Sequence, residues 1–223
     1  MYDYRDVQIE LKKAKDEKYA SFSTGICGSS VSYIGIRIPK LRALVKKYKN
    51  NFNLETFKCE KVYEIMFLYF SLNILALNDF DKSIDFILKN EKYWLGWGLN
   101  DSVYQYVKLK KDFDDIYDRL KELLNHKNQY IRRLAYLICF KYEKDKENLE
   151  KIYKLIKNDD EYYVWMAESW LLADLYIYYP EDTFMFLKEA KLDKIIVNKA
   201  ISKIHDSFRV SLEGKNKAKL LRK

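Results

Sequence analysis

The sequence has few of the residues that most enzymes use for nucleophilic catalysis or for binding a metal. Its 223 residues include three cysteines, which are far apart and form no C-x-x-C, and two histidines, His126 and His205. This scarcity nearly excludes a zinc site of common spacing and argues against a Cys–His or Ser–His–Asp mechanism. The six glycines form no nucleotide-binding or dinucleotide-binding loop motif. We therefore expect no metal and no cofactor.

Long apolar runs are also missing. One of the longest, IMFLYFSLNILAL at 65–77, contains Ser and Asn and is shorter than the ~18–20 residues that span a membrane. The stretch 1–19 alternates in charge and lacks the apolar core of a signal peptide. We expect a soluble, cytoplasmic protein that is a monomer and has no membrane partner.

Positive charge is abundant and unevenly distributed. The net charge is +8. Residues 1–50 carry 11 basic and 5 acidic residues, and residues 201–223 carry 7 and 2. Two cationic ends can follow a polyanion such as nucleic acid. Charge alone is equally compatible with solvated helix surfaces and a frayed, Lys-rich tail at 215–223.

Helical periodicity runs through the chain. In YIRRLAYLICFKY (130–142), apolar residues recur at steps of three and four. The same pattern recurs at 62–75, 113–124 and 163–178. Polar breaks fall at 25–30, 77–82, 125–129, 157–161 and 179–183. Because no segment alternates convincingly at period two, the sequence predicts an all-α protein.

The predicted helices recur at a regular spacing. Trp97, Arg133 and Trp170 each lie in a predicted helix that follows another, and they are separated by 36 and 37 residues. A spacing near 36 is typical of helical-repeat arrays, in which each helix pair buries its apolar face against its neighbours. We therefore predict one repeat domain over residues 1–223, with about six helix pairs. Such arrays curve, and their concave face can hold a long rigid partner.

Five segments follow one another in an order that is known from one protein family. They read IGIRIPKLRALVKKY (34–48), WGLNDS (97–102), YIRRLAYL (130–137), YYVWMAESWLLADLYIYYPE (162–181) and VNKAISKIHDSFRVS (197–211). Together they resemble the AlkD-like DNA alkylation repair family, which are HEAT-like-repeat DNA glycosylases. The resemblance implies a HEAT-like solenoid, an α–α superhelix with a concave DNA-binding face.

The resemblance also implies a reaction. It implies hydrolysis of the N-glycosidic bond of N3- and N7-alkylated purines in duplex DNA, which already carry a positive charge. Such enzymes work on the exposed deoxyribose without a deep base-flipping pocket, in contrast to the general rule for enzymes that modify bases. The implied location is the bacterial-type cytoplasm, in association with the nucleoid.

The resemblance extends to single residues. The catalytic Asp of the family falls on Asp101, its active-site Arg on Arg133, and its two lesion-side aromatics on Trp97 and Trp170. Candidate phosphate contacts from the cationic segments are Lys40, Arg42, Lys46, Lys47, Lys199, Lys203 and Arg209.

Two positions depart from the family pattern. The Trp that usually opens the Arg helix is Tyr130, which we keep as a DNA-binding candidate. The basic residue often found three places after the second Trp is Ala173. We therefore expect one backbone contact to be missing, with weaker DNA binding or a shifted substrate.

The proposed residues suit the chemistry on physical grounds. A cationic alkylpurine is already a good leaving group, and the reaction develops positive charge on the sugar. A fixed carboxylate stabilises that charge and can orient or deprotonate water. Trp97 and Asp101 are four residues apart and share one helical face, where the indole can contact the cation for ~0.5–2 kcal/mol. Arg133 can hold a phosphate bidentately.

Structural roles remain open for the same residues. Asp101 can be a helix N-cap, since NDS is good capping chemistry, and both tryptophans can be core residues. Arg133 can pair with an acid such as Asp118 or Asp101, and its neighbour Arg132 leaves the assignment open by one residue. Asp174, one turn after the second Trp, is a further candidate acid.

Two other functions also remain open. The first is a non-catalytic HEAT-like protein that binds damaged or branched DNA, and the second is a protein-binding helical scaffold.

Overall fold

A computed structural model describes residues 1–27 and 31–223, and the regular structure in this part of the chain is helical. The α-helices are α1 (Tyr4–Lys13), α2 (Glu17–Cys27), α3 (Ile38–Tyr48), α4 (Tyr63–Leu77), α5 (Phe80–Lys89), α6 (Trp97–Val103), α7 (Asp114–Leu124), α8 (Gln129–Cys139), α9 (Leu149–Leu155), α10 (Tyr162–Tyr178), α11 (Pro180–Glu189), α12 (Lys194–Asp206) and α13 (Leu212–Lys219). Short 3₁₀ helices cover Leu54–Thr56, Glu91–Tyr93, Tyr104–Tyr106 and Lys146–Asn148. The described residues contain no strand, only the isolated bridges Tyr2–Phe52 and Ser32–Val62. The predicted all-α fold is confirmed.

The helices lie close to the positions that the periodicity predicted. The segments 62–75, 113–124 and 163–178 correspond to α4, α7 and α10. Helix α8 ends at Cys139, three residues before the predicted end. The predicted break at 25–30 begins too early, because α2 continues to Cys27. Residues 28–30 lie outside the described residues.

Contacts divide the chain into two compact units, residues 1–110 and 111–223. The single repeat domain over the whole chain stays a prediction.

In the first unit, α3, α5 and α6 pack around α4. Ten of the fifteen residues of α4 are buried, on every side of the helix. The long apolar run of the sequence is therefore the core of this unit. No described helix is long and apolar enough to cross a membrane.

The segment around Gly35 joins α2, α3 and α4. The buried carboxylate of Glu64 accepts hydrogen bonds from the backbone amides of Ile34, Gly35 and Ile36, at 2.9, 2.8 and 3.0 Å. Gly35 has φ +95°, and a Cβ there would lie 1.9 Å from the carbonyl oxygen of Asp16. Only glycine fits this crossing of two backbones. Pro39 then falls in the first turn of α3, as predicted.

In the second unit, α7 packs against α8 and α9, and α11 packs against α10. Helix α10 packs between α8 and α12. Side chains also link positions about 36 residues apart, as in the ion pairs Lys146–Asp182 and Lys217–Glu181. These contacts agree with the sequence spacing and are consistent with a helical repeat.

The C-terminal segment folds as a helix that packs against the second unit, so the alternative of a frayed tail was wrong. Ala218 on α13 is completely buried, and the Tyr176 hydroxyl donates to the Gly214 carbonyl at 2.9 Å. The backbone amide of Lys223 donates to the Asn198 side chain at 3.1 Å. The lysines of this segment therefore lie on a folded helix that closes the second unit.

Candidate functional site

Helix α6 positions Trp97 and Asp101. It begins after Gly96, which has φ +79°. The buried Trp94 donates its indole N–H to Asn100 at 3.0 Å, and the Asn100 amide donates to the Gly96 carbonyl at 3.2 Å. These contacts fix the start of the helix and bury its inner face. Trp97 and Asp101 therefore share its outer face, as the four-residue spacing predicted.

The outer face of α6 forms one wall of a pocket in the first unit. The pocket has a volume of about 220 Å³ and includes Trp97 and Asp101 in its lining. Other aromatic side chains around it belong to Tyr19, Phe22, Tyr33 and Tyr63. Two sequence alternatives are thereby decided. Asp101 lies inside α6, whose N-cap is Gly96, so the N-cap hypothesis was wrong. Trp97 is half-buried at the pocket rather than in the core.

The pocket wall is held by Tyr63. Its hydroxyl lies 3.3 Å from the Gly98 carbonyl and 3.2 Å from the Ser102 hydroxyl, both on α6. Its ring stacks with Tyr33 at 5.4 Å. The aromatic wall and the helix that carries Asp101 are therefore fixed to each other.

In the second unit, the two neighbouring arginines of α8 have different partners. Arg132 pairs with both carboxylate oxygens of Asp159, at 2.6 and 3.0 Å, and also donates to the His126 carbonyl. Arg133 is 5% exposed and donates to the Tyr163 carbonyl at 2.7 Å. Arg132 thus ties α8 to the loop before α10. Asp118, once a candidate partner of Arg133, pairs with Lys121 on its own helix.

Trp170 lies partly exposed beside a lysine. It is 38% exposed, its ring contacts Phe140 at 4.7 Å, and the Lys203 ammonium lies 5.8 Å from its centre. Burial lowers the pKa of Lys203, and the positive charges of Lys199 and Arg133 lower it further. Four predicted residues, Arg133, Trp170, Lys199 and Lys203, therefore come together in this unit.

Two acids lie near this cationic group. Asp174 is half-buried, 3.9 Å from the Arg209 guanidinium, and burial raises its pKa. Glu143, in the turn after α8, is 6% exposed. Burial, reinforced by the charge of Asp174, raises the pKa of Glu143 to about 7. Arg209 also lies over the Tyr178 ring at 5.0 Å, so it is held by an acid and an aromatic ring.

The candidate cations of α3 differ in their surroundings. Lys47 pairs with Glu10 at 2.8 Å and lies over the ring of Tyr48. The positive charge of Lys40 also helps to lower the pKa of Glu10. Arg42 and Lys46 are exposed, one turn apart, and have no ion-pair partner within the described part of the chain. Arg42 and Lys46 are thus the better candidates for phosphate contacts.

The family comparison decides the membership of the chain. The family described as DNA alkylation repair enzyme matches residues 7–204. The chain belongs to this family. A search of curated proteins finds no match. Membership gives the chain a role in DNA repair, and the resemblance stated from the five segments is confirmed.

Two residues of this DNA alkylation repair protein, Tyr130 and Ala173, depart from the family pattern, and they lie in different surroundings. Tyr130 opens α8, half-buried, with its ring 5.9 Å from that of Tyr163. Ala173 is 3% exposed and faces the core of the second unit. In this chain position 173 therefore supplies no cation for a backbone contact.

The sequence predictions overlooked the aromatic neighbours of Asp101. Tyr19 and Phe22 are three residues apart on α2, and Tyr33 and Tyr63 come from elsewhere in the first unit. The spacing of Tyr19 and Phe22 on one helical face was the only available signal. That all four of Trp97, Asp101, Arg133 and Trp170 converge on one concave surface stays a prediction.

Proposed function

We propose that the protein is a DNA glycosylase that hydrolyses the N-glycosidic bond of cationic N3- and N7-alkylated purines in duplex DNA. The main support for the proposal is the position of Asp101. Its carboxylate lies one turn from Trp97 on α6, at a pocket lined by aromatic rings. A carboxylate among aromatic faces is suited to a positively charged, planar group.

The reaction requires little from the protein beyond this charge. The oxygen of water bonds to C1′ of the deoxyribose as the bond from C1′ to the purine nitrogen breaks. The electron pair of that bond neutralises the positive charge of the leaving base. Asp101 stabilises the positive charge that develops on the sugar, accepts a proton from the attacking water and returns it to solvent. The products are the free alkylpurine and an abasic site.

The charges of the second unit support a role in holding DNA. The positive charges of Arg133 and Lys199 act on Lys203, against the opposing effect of Asp206 and Asp174, and an anion beside Lys203 relieves that repulsion. Another surface of the same unit, on α9 and α11, has mixed charge. Glu150 and Glu189 lie there with Lys154, and Glu181 and Asp182 pair with Lys217 and Lys146. The surface around Lys203 is therefore the one that suits phosphates.

In this proposal the remaining residues bind rather than react. Arg133 holds a phosphate beside the lesion, and Trp97 and Trp170 contact the sugar and the cationic base. Lys203, Arg42 and Lys46 contact the DNA backbone. The partner is duplex DNA that contains alkylated purines, and the protein acts as a monomer.

The test is release of base from methylated DNA. Purified protein is incubated with duplex DNA that carries 7-methylguanine and 3-methyladenine, and the released bases are separated by chromatography. Abasic sites are counted in the same sample by strand cleavage in alkali. We expect released bases and abasic sites in equal amounts. DNA binding without either product would instead identify a non-catalytic protein that binds damaged DNA.

A further inference from the structure

The turn between α12 and α13 presents two large apolar side chains to solvent. Phe208 is completely exposed, and Leu212, at the start of α13, is 74% exposed. Phe208 is the most exposed large apolar side chain in the described part of the chain. Large apolar side chains that lie together on a surface point to a partner more strongly than single ones do. The turn is therefore a candidate interaction surface.

Hydrogen bonds hold the backbone of this turn on both sides of Phe208. The backbone amide of Arg209 donates to the Ser207 hydroxyl at 3.2 Å. The Ser211 hydroxyl then caps α13 by accepting from the backbone amide of Gly214 at 3.1 Å. The backbone next to the exposed ring is thus already ordered, which lowers the entropic cost when a partner binds it.

The segment that carries the ring is cationic. Residues 201–223 include 7 basic and 2 acidic residues. Arg209 follows Phe208 directly, and its guanidinium lies 3.9 Å from the Asp174 carboxylate. The charge of that carboxylate also acts on Lys203, which lies beside Trp170. The turn therefore borders the surface around Lys203, and its charge selects a polyanion as the partner.

From these features we propose that Phe208 packs in the minor groove of the bound duplex, while Arg209 contacts the phosphate beside it. Proteins that bind this groove place apolar side chains, phenylalanine among them, at base steps and hold the adjacent backbone with cations. The contact needs no extruded base and takes no part in the reaction. The proposal goes beyond the proposed function, on which it rests only for the binding of duplex DNA.

Binding to undamaged duplex DNA, measured by fluorescence anisotropy over a salt series, tests the proposal apart from catalysis. Phe208→Ala should weaken binding at least about fivefold, because the apolar surface of the ring no longer leaves water, and Phe208→Leu should keep most of the affinity. The slope of log K against log salt should stay unchanged, because no cation is lost, whereas Arg209→Ala should lower it by up to about 0.9. When netropsin fills the minor groove of an A·T-rich duplex, the wild type and Phe208→Ala should bind equally.

A matched variant and a parallel assay separate the possible failures. Met185 is 44% exposed on α11, so Met185→Ala removes exposed apolar surface away from the turn and should leave binding unchanged. Unchanged binding by Phe208→Ala would overturn the proposal and leave the turn to a protein partner. An equal loss in both variants, or a difference that persists with netropsin, would overturn it too. Base release from methylated DNA is measured on the same preparations. Excision without an effect of Phe208→Ala on binding refutes the groove contact and leaves the proposed function intact, whereas that effect without excision supports the contact and refutes the glycosylase.

Discussion

The ammonium nitrogen of Lys203 lies 5.8 Å from the centre of the Trp170 ring. The two residues belong to α12 and α10, which pack against each other. The indole is partly exposed, and the lysine is crowded by the charges of Lys199 and Arg133. A half-buried cation with like charges around it is stabilised when an anion binds, so this part of the second unit is suited to a phosphate backbone.

We predict that the double substitution Lys199→Ala and Lys203→Ala weakens binding to duplex DNA and lowers its dependence on salt. Each lost phosphate contact should reduce the slope of log K against log salt by about 0.9. Fluorescence anisotropy over a series of salt concentrations measures both quantities.

The matched control for this experiment removes two cations from α9 and α11. Lys154 lies on α9 beside Glu150, and Lys188 lies on α11. Lys154→Ala with Lys188→Ala makes the same change in net charge and should leave the slope nearly unchanged. An equal loss of slope in the two double variants would mean that total charge, rather than this cationic group, governs binding.

We predict that Gly35→Ala destabilises the protein by several kcal/mol, of the order of a severe backbone conflict. A Cβ at this position would lie 1.9 Å from the Asp16 carbonyl oxygen, and the φ of +95° disfavours any side chain. Gly25 provides the opposite case, since it lies in α2 with no atom within 4 Å of its would-be Cβ. Gly25→Ala should stabilise by up to about 1 kcal/mol.

Urea unfolding of the two glycine variants measures these effects. A lower midpoint for Gly35→Ala and a higher one for Gly25→Ala are expected. Similar midpoints for both variants would show that stability does not require a glycine where the two backbones cross at Gly35.

We predict that Glu143 makes stability fall as pH rises from about 4.5 to about 7. Its ordinary pKa is 4.5, and burial with the charge of Asp174 raises it to about 7 in the folded protein, against the opposing effect of Arg209, Lys144 and Lys141. Between these values the folded state keeps a proton that the unfolded state has lost, so the free energy of unfolding decreases with increasing pH. Above pH ~7 the loss amounts to roughly 1–3 kcal/mol.

Glu143→Gln should therefore exceed the wild type in stability at alkaline pH and lose that advantage at acid pH. Chemical unfolding over a range of pH measures the difference, with Glu147→Gln as the control because Glu147 is exposed in the same loop. If the advantage of Glu143→Gln were independent of pH, the titration of this residue would not be its cause.

Much of the fold could be predicted because its determinants are local. The apolar run of α4 and the periodic pattern of α7 and α10 identify helices from neighbouring residues alone. The separation of 37 residues predicted that the helices of Arg133 and Trp170 stand side by side, and α8 and α10 pack against each other in the second unit. The family segments added the position of the candidate site, because Trp97 and Asp101 fall on one face of α6.

What could not be predicted depends on contacts between distant residues. Whether Asp101 caps a helix or lies within one is decided by Gly96 and by the hydrogen bond from Trp94 to Asn100. The pocket needs side chains from four separate elements, which no local pattern brings together. The sequence did not show that the C-terminal lysines lie on a packed helix, which Ala218 anchors in the second unit.

The most direct test of the account is the rate at which Asp101→Asn releases 7-methylguanine from duplex DNA in a single turnover. Asn keeps the shape and the hydrogen bonding but removes the charge, so the rate should fall at least about tenfold, corresponding to ~1.4 kcal/mol. DNA affinity should hold or rise slightly. The control Asp118→Asn, on a carboxylate that pairs with Lys121, should keep the wild-type rate. A full rate in Asp101→Asn would contradict the account and transfer the chemistry to another carboxylate, first of all Asp174.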